Sequence, residues 1–213
     1  MRLLRLPGRQ GRPWLTLALV CVGLALVSLA SNWVSTGELE GQMPVFSLIR
    51  KTVSKLVNCG TLWAGTGVLA GWLMRRPLAS FVAAVLATEG ALALHYGLGQ
   101  MLGMYNAGIW VENAHWFVLG VLACGPLGLV GRVARQPGWL GCTARLVVPM
   151  GAVAEPWVRS WFTQPAFLPW PERWSDITSG LVLTVVGLVG AWLAARTTVL
   201  TGRAGKARPQ APR

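Results

Sequence analysis

The sequence predicts an all-α fold, a polytopic bundle of about six transmembrane helices with both termini in the cytoplasm. Three observations lead to this prediction. Of the 213 residues, 54% are hydrophobic and only 12% are charged, whereas a soluble domain carries about 25% charged residues. The apolar residues form long blocks, and basic residues cluster beside those blocks. Too few charges remain to cover a water-facing surface, so lipid is the expected surrounding.

Six blocks are suitable spans, since about 20 apolar residues cross a bilayer as a helix. They fall at residues 14–31, 57–74, 77–96, 109–131, 138–158 and 177–195. The basic tails 1–13 and 196–213 are predicted to be cytoplasmic, the second one disordered. No gap between the blocks reaches the roughly 50 residues that a separate soluble domain needs. Residues 14–195 are therefore expected to form one multi-pass domain in the plasma membrane.

The distribution of basic residues predicts the orientation. Thirteen of the 19 Lys and Arg residues lie in segments predicted to be cytoplasmic, and five lie in predicted external loops. Such an excess orients membrane spans. Arg50, Lys51 and Lys55 in the first external loop run against this trend. We interpret the net charge of +12 as a topology signal. No nucleic-acid partner is expected, because basic and aromatic residues do not alternate on a soluble face.

Two segments have alternative interpretations. The first block could be a signal peptide, because Ser28-Leu29-Ala30 has the small-x-small pattern of a cleavage site. Its apolar stretch of about 17 residues exceeds the usual 7–15 of a signal core, which favours a retained span. The segment 44–55 has apolar residues near helical spacing. It could form a helix on the membrane surface or begin the second span.

Polar residues at membrane depth are the strongest functional signal, since such residues usually face the interior of a bundle. Glu89 lies near the middle of the third predicted span, where an ionised carboxylate costs at least about 2.5 kcal/mol. It should be protonated, paired or wetted by a cavity. It would bind a proton or a cation, or it would hydrogen-bond a neighbouring helix. Five more residues are predicted to shape an outward-facing pocket: Asn58, His95, Asn113, His115 and Glu155.

Catalytic and metal-binding motifs were compared with the sequence. Glu112-Asn-Ala-His115 has the spacing that di-iron bundles use, but those bundles need two copies and further carboxylates. One copy does not complete a metal site, so neither a metal nor a cofactor is expected. The Walker A, GxSxG and HExxH motifs are absent from the sequence. We therefore do not expect an enzyme.

One further motif concerns packing. Gly67-Val-Leu-Ala-Gly71 is a small-xxx-small motif that lets two helices approach closely. We interpret it as an internal packing seam in preference to a dimer face. Pro126 and Pro149 are expected to kink the fourth and fifth spans, where neighbouring helices tolerate such kinks.

Short motifs suggest a family. They are Asn58-Cys-Gly-Thr-Leu-Trp63, the acidic third span, and Asn113-Ala-His-Trp116 through Cys124-Gly-Pro-Leu-Gly128. They resemble a family of uncharacterised bacterial multipass integral membrane proteins, a domain of unknown function. In that family an Asn-small-small-x-x-Trp motif and a Gly-Pro-x-x-Gly turn recur. The resemblance covers about residues 15–195. It implies a multipass membrane fold and supplies no mechanism.

Two functions from different classes follow from the sequence. The first is a small transporter-like or solute-binding membrane protein, whose partners are the lipid bilayer and a small solute or proton. Glu89 would bind the proton or cation in that case. The second is a non-catalytic scaffold or accessory subunit of a membrane complex. Its polar residues would only hold helices together.

Overall fold

The computed structural model describes residues 11–206, which form helices joined by turns and contain no strand. The predicted all-α class is confirmed. The helices are α1 Gly11–Asn32, α2 Thr36–Leu39, α3 Pro44–Val57, α4 Gly60–Leu73, α5 Pro77–Met101, α6 Ile109–Glu112, α7 Ala114–Leu119, α8 Gly125–Val133, α9 Gly138–Val158 and α10 Trp170–Lys206. A π-helical turn, Gly120–Cys124, joins α7 to α8. The tail segments 1–10 and 207–213 lie outside the described residues, and α10 continues beyond residue 195.

Within the described residues, four helical stretches are long and apolar enough to cross a membrane. They are Gly11–Asn32, Pro77–Met101, Ala114–Val133 and Trp170–Thr197. They correspond to the first, third, fourth and sixth predicted spans. The second and fifth predicted spans correspond to α4 and α9. α4 has only 14 residues, about 21 Å at 1.5 Å per residue, and α9 carries two charged residues. The count of six spans remains a prediction.

α3 and α4 are separated by a break at Asn58 and Cys59. Cys59 has an extended backbone with ψ 147°, and its Sγ accepts a hydrogen bond from the Leu62 N–H at 3.4 Å. Asn, Cys and Gly60 all have low helix propensity, so the local sequence favours a break here. The segment 44–55 is therefore part of a distinct helix and does not begin a continuous second span.

α3 turns its charged side chains towards the bundle and its apolar side chains away from it. The ion pairs are Arg50–Glu38 at 2.8 Å, Lys51–Glu172 at 2.6 Å and Lys55–Asp176 at 2.7 Å. The exposed apolar side chains are Val45, Phe46, Ile49 and Val53. Each of the three basic residues in this predicted external segment thus has an acidic partner. These contacts hold α3 between the C-terminal end of α1 and the start of α10.

The Glu38 carboxylate is the most enclosed member of these pairs, with its side chain 2% exposed. Burial raises the pKa of Glu38, but the hydrogen bonds from Arg50 and from the Ser35 N–H, together with the Arg50 charge, outweigh it. The pKa of Glu38 is therefore held below its ordinary value of 4.5. Because the guanidinium stabilises the charged form, this pair depends on an ionised Glu38.

Side-chain contacts place the loops at two opposite ends of the bundle. At the Tyr105 end, Asn32 Nδ2 donates to the Tyr105 hydroxyl at 3.5 Å. At the Arg75 end, Arg135 Nη1 donates to the Trp72 carbonyl oxygen at 3.2 Å. In the predicted topology the Tyr105 end is external and the Arg75 end is cytoplasmic.

Glycines let α4 and α8 pack backbone to backbone. A Cβ on Gly71 would overlap the Gly128 carbonyl, and one on Gly67 would lie 3.2 Å from the Cys124 carbonyl oxygen. A Cβ on Gly131 would in turn overlap the α4 backbone. The interpretation of the small-xxx-small motif as an internal seam is confirmed, because both of its glycines face α8 or the π-helical turn.

Most large apolar side chains of the described residues are exposed on the outside of the bundle, and many of its buried side chains are small or carry a hydroxyl group. The core that joins α1, α4 and α5 consists of Leu17, Cys21, Ala70, Met74, Ala83, Ala84, Ala87 and Ala91. Ser28, Ser80 and Thr88 are buried as well, whereas Leu122 is 67% exposed. Bundles in lipid pack through small residues because hydrocarbon tails solvate large apolar ones.

Candidate functional site

A cavity of about 290 Å³ lies between α4, α5 and the stretch Ala114–Val133. Three aromatic residues line it: Trp63, Tyr96 and Trp116. The other apolar lining residues are Ala64, Leu92, Leu119, Ala123 and Leu127. Asn58, Thr88 and Arg159 are its main polar lining residues. Small-molecule sites usually combine apolar walls with a few polar groups.

The polar part of the cavity lies towards the Tyr105 end. Asn58 belongs to the break between α3 and α4, and Arg159 follows α9 directly. Arg159 Nε contacts Glu155 Oε1 at 3.0 Å, and its guanidinium lies 5.5 Å from the Trp161 ring centroid. Arg159 is therefore held in place at one edge of the cavity, where it supplies a positive charge.

Glu155 joins α9 to the start of α4. Its carboxylate accepts hydrogen bonds from the backbone N–H groups of Gly60 at 2.7 Å and Thr61 at 2.8 Å. The Thr61 hydroxyl donates to it as well, at 2.7 Å. The first N–H groups of a helix lack intrahelical partners, and a negative charge there is favourable. Glu155 thus contacts Gly60 and Arg159, which line the cavity, but is not a lining residue itself, and its oxygens are occupied as a helix cap.

Asn58 takes part in a chain of hydrogen bonds that crosses three segments. Its Oδ1 accepts from the Ser28 hydroxyl at 2.6 Å, and its Nδ2 donates to the Ser54 carbonyl oxygen at 2.9 Å. The Ser54 hydroxyl donates to Asn32 Oδ1 at 2.8 Å. These bonds connect α1 to α3 immediately beside the break. Asn58 therefore has a structural role in addition to its position on the cavity wall.

His95 lies at the other end of the same chain of hydrogen bonds. It is buried in α5, and its Nε2 lies 3.2 Å from the Tyr105 hydroxyl, which also contacts Asn32. The His95 and Tyr96 rings pack edge to face with centroids 5.0 Å apart. Tyr96 lines the cavity, so His95 lies behind one of its aromatic walls.

Glu89 lies beside the π-helical turn. Its Oε1 is buried against Gly120, where a Cβ would overlap it. Among the described residues, no donor lies within hydrogen-bond distance of this oxygen. Its neighbour Thr88 and its contact Gly120 both line the cavity. Glu89 therefore lies behind the wall of the cavity, next to a π turn of the kind often found at functional sites.

Asn113 and His115 do not join the other predicted residues. His115 is exposed and packs against Trp116 with ring centroids 4.8 Å apart, and Asn113 Nδ2 donates to the Ile109 carbonyl oxygen within its own turn. Glu112 is exposed too. Among the described residues, no group of three or more metal-ligating side chains comes together. The predicted pocket is therefore made of fewer polar groups than expected.

Sequence reasoning missed several cavity residues. Trp63 and Trp116 stand out in the sequence only as parts of the two family motifs, and Tyr96, Thr88 and Arg159 have no predicted role. The sequence signal for these aromatic residues is their position within about two turns of the external end of a predicted span. No comparable signal exists for Thr88, because a hydroxyl in an apolar helix usually bonds its own backbone, as Thr88 does with the Ala84 carbonyl at 3.0 Å.

Comparisons with protein-family models, curated proteins and solved structures gave no match. The resemblance to a family of bacterial multipass membrane proteins therefore stays a prediction.

Proposed function

We propose that this chain is a multipass integral protein of the plasma membrane that binds a small amphipathic solute in the cavity, with the Tyr105 end facing outward. The membrane location is supported by the four long apolar helices and by the large apolar side chains on the surface of the bundle. In this proposal α4 and α9 also cross the bilayer, with α3 completing the short α4. Both termini are then cytoplasmic, as the charge bias favours.

The observation that carries the proposal is the composition of the cavity wall. Apolar and aromatic side chains form most of it, and Asn58 and Arg159 provide polar groups towards one end. An amphipathic solute fits such a wall, because its apolar part would pack against the rings and its polar part would meet Asn58 and Arg159. Glu89, behind the wall, is the residue to which we assign proton or cation binding if the solute is transported.

The proposal requires that water reach the cavity from the outside. A pair of cysteine variants tests this access. In a background whose four cysteines are replaced by serine, Ala123→Cys places a thiol on the cavity wall, and Leu122→Cys places one on the apolar surface. A charged, membrane-impermeant methanethiosulfonate added to intact cells should modify A123C and leave L122C unmodified, because only a hydrated thiol forms the reactive thiolate.

The two variants differ by one position in the same helical stretch, so expression and depth are closely matched. If the reagent fails to modify A123C just as it fails to modify L122C, the result would contradict an outward-facing cavity. That result would favour the second function, a scaffold or accessory subunit for a membrane protein partner. The observation behind this alternative is that Asn58, His95 and Glu155 all bond to other segments of the chain.

A further inference from the structure

A second cavity, of about 170 Å³, lies at the Arg75 end of the bundle. Four residues line it: Arg75, Arg132, Arg135 and Gln136. Arg75 follows α4, and the other three come from the end of α8 and the turn after it. We call this cavity the arginine cleft. It brings together three guanidinium groups from two segments that are far apart in the sequence.

The arginine cleft has no acidic side chain to neutralise it. All seven Asp and Glu residues of the chain lie in the described part. Four of them form the ion pairs, which are all at the Tyr105 end. Glu40 follows α2 and Glu112 ends α6, both at that end. Glu89 lies 12 residues along α5 from Pro77, about 18 Å away. The positive charge of the cleft is thus available to an anion.

Two of the three guanidinium groups are held in place by the backbone. Arg132 Nε donates to the Arg75 carbonyl oxygen at 3.3 Å, and Arg135 Nη1 donates to the carbonyl oxygens of Trp72 and Met74 at 3.2 Å each. These bonds satisfy carbonyls at the C-terminal end of α4 that lack intrahelical partners. A guanidinium has five N–H groups, so donors remain for a ligand, and less side-chain entropy is lost when it binds.

We propose that the arginine cleft binds the phosphate group of an anionic phospholipid. Guanidinium groups match phosphate oxygens in a bidentate geometry. The cleft lies at one end of the apolar helices, and two residues with exposed indoles, Trp72 and Trp139, are three positions in the sequence from its lining residues Arg75 and Gln136. Indoles are enriched at the level of lipid headgroups. A lipid phosphate is therefore favoured over a soluble one. This inference rests on the membrane location proposed above and is independent of the solute cavity.

The test compares two neighbouring arginines. Arg75 lines the cleft, whereas Arg76 is equally exposed and does not. The full chain and the variants Arg75→Gln and Arg76→Gln are reconstituted in nanodiscs of phosphatidylcholine with and without phosphatidylglycerol. Retained lipid is counted by native mass spectrometry. We expect the full chain and R76Q to retain phosphatidylglycerol, and R75Q to bind it about tenfold more weakly, because R75Q loses a charge-assisted hydrogen bond to the phosphate.

Three outcomes would overturn the inference. The first is an equal loss of phosphatidylglycerol in R75Q and R76Q, which would indicate only the general charge of this surface. The second is no preference for phosphatidylglycerol over phosphatidylcholine in the full chain. The third is displacement of the retained lipid by millimolar inorganic phosphate, which would assign the cleft to a soluble phosphate. Failure to enter nanodiscs would instead contradict the membrane location itself.

Discussion

Glu89 and Glu155 are two glutamates within long helices of the bundle, α5 and α9, and their surroundings differ. Glu155 accepts three hydrogen bonds from the start of α4 and contacts Arg159. Glu89 has a buried oxygen that contacts Gly120 and has no donor among the described residues. The carboxylate of Glu155 is therefore committed to a structural role, and Glu89 is the better candidate for a proton or a cation.

The contact between Glu89 and Gly120 predicts that substitutions at these two positions are energetically coupled. Gly120→Ala should lower stability by about 1 kcal/mol, the low end of the usual cost of overpacking, because the new Cβ overlaps only Glu89 Oε1, the far end of a flexible side chain. In a Glu89→Ala background, Gly120→Ala should change the stability very little, because the carboxylate that the new Cβ overlaps is absent. The melting temperatures of the two single variants and the double variant in one detergent measure this coupling.

Gly90→Ala is the matched control for this cycle, because a Cβ at Gly90 meets open space. Alanine is favoured over glycine in a helix by about 1 kcal/mol, so G90A should be neutral or slightly stabilising in either background. A cost of Gly120→Ala that is the same with and without Glu89 would contradict the packing described here.

Single residues could be identified from the sequence, but their partners could not. The sequence singled out Asn58, His95, Glu89 and Glu155 because polar groups in apolar helices are conspicuous. The sequence did not indicate that Glu155 would meet Gly60, which lies 95 positions earlier. That contact depends on how α9 packs against α4, and no local pattern encodes it.

At the scale of elements, α3 differs most from a helix of a soluble protein. Its apolar side chains point away from the bundle, and its three basic side chains are paired with acids on α2 and α10. Its helical spacing was visible in the sequence, but its orientation was not. Amphipathic spacing indicates two faces and does not say which one meets the protein.

The Arg50–Glu38 pair predicts how the anchoring of α3 depends on pH. A carboxyl whose pKa is lowered by folding stabilises the fold above its ordinary value of 4.5, and this contribution is lost as the pH falls through the lowered pKa. Glu38→Gln should therefore melt at a lower temperature than the full chain at pH 7. The difference should disappear once the pH falls below the lowered pKa of Glu38, where the carboxyl itself is protonated.

Glu40→Gln is the control for this measurement. Glu40 is exposed, and its carboxylate accepts a hydrogen bond from the Gln42 side-chain amide at 2.7 Å. Its substitution should leave the melting temperature almost unchanged at both pH values, because exposed charges contribute little. A difference between E38Q and the full chain that persists at low pH would indicate that packing, and not charge, holds α3.

Two breaks in helices have different origins in the sequence. The break between α3 and α4 falls at Asn58-Cys59-Gly60, where helix propensity is low. The π-helical turn Gly120–Cys124 precedes Pro126, whose missing N–H removes one helical hydrogen bond. A kink at Pro126 was predicted, but a π turn was not, because other adjustments would also relieve the proline.

For the whole molecule, the all-α class and the apolar exterior followed from composition alone. The number of spans could not be determined from composition. Four stretches meet the length and hydropathy expected of a span, and α4 and α9 do not. A short helix such as α4 can cross a bilayer only with help from an adjoining segment, here α3, and such help depends on tertiary packing.

Three single-cysteine variants distinguish six spans from four. In the cysteine-free background, Gln42→Cys, Asn106→Cys and Gln136→Cys place thiols on exposed loop residues. With six spans and a cytoplasmic N-terminus, an impermeant maleimide should label Q42C and N106C in intact cells, and Q136C only after permeabilisation. With only the four long helices spanning, Asn106 would become cytoplasmic and Gln136 external, while Gln42 would stay external.

The packing of the loops favours the first outcome. The Tyr105 hydroxyl lies 3.5 Å from Asn32 Nδ2, so the loop that holds Asn106 shares one end of the bundle with the loop that holds Gln42. Four spans would place these loops on opposite sides of the bilayer and would separate Asn32 from Tyr105. Labelling of Q42C and Q136C without N106C would therefore contradict both the six-span topology and the contact between Asn32 and Tyr105.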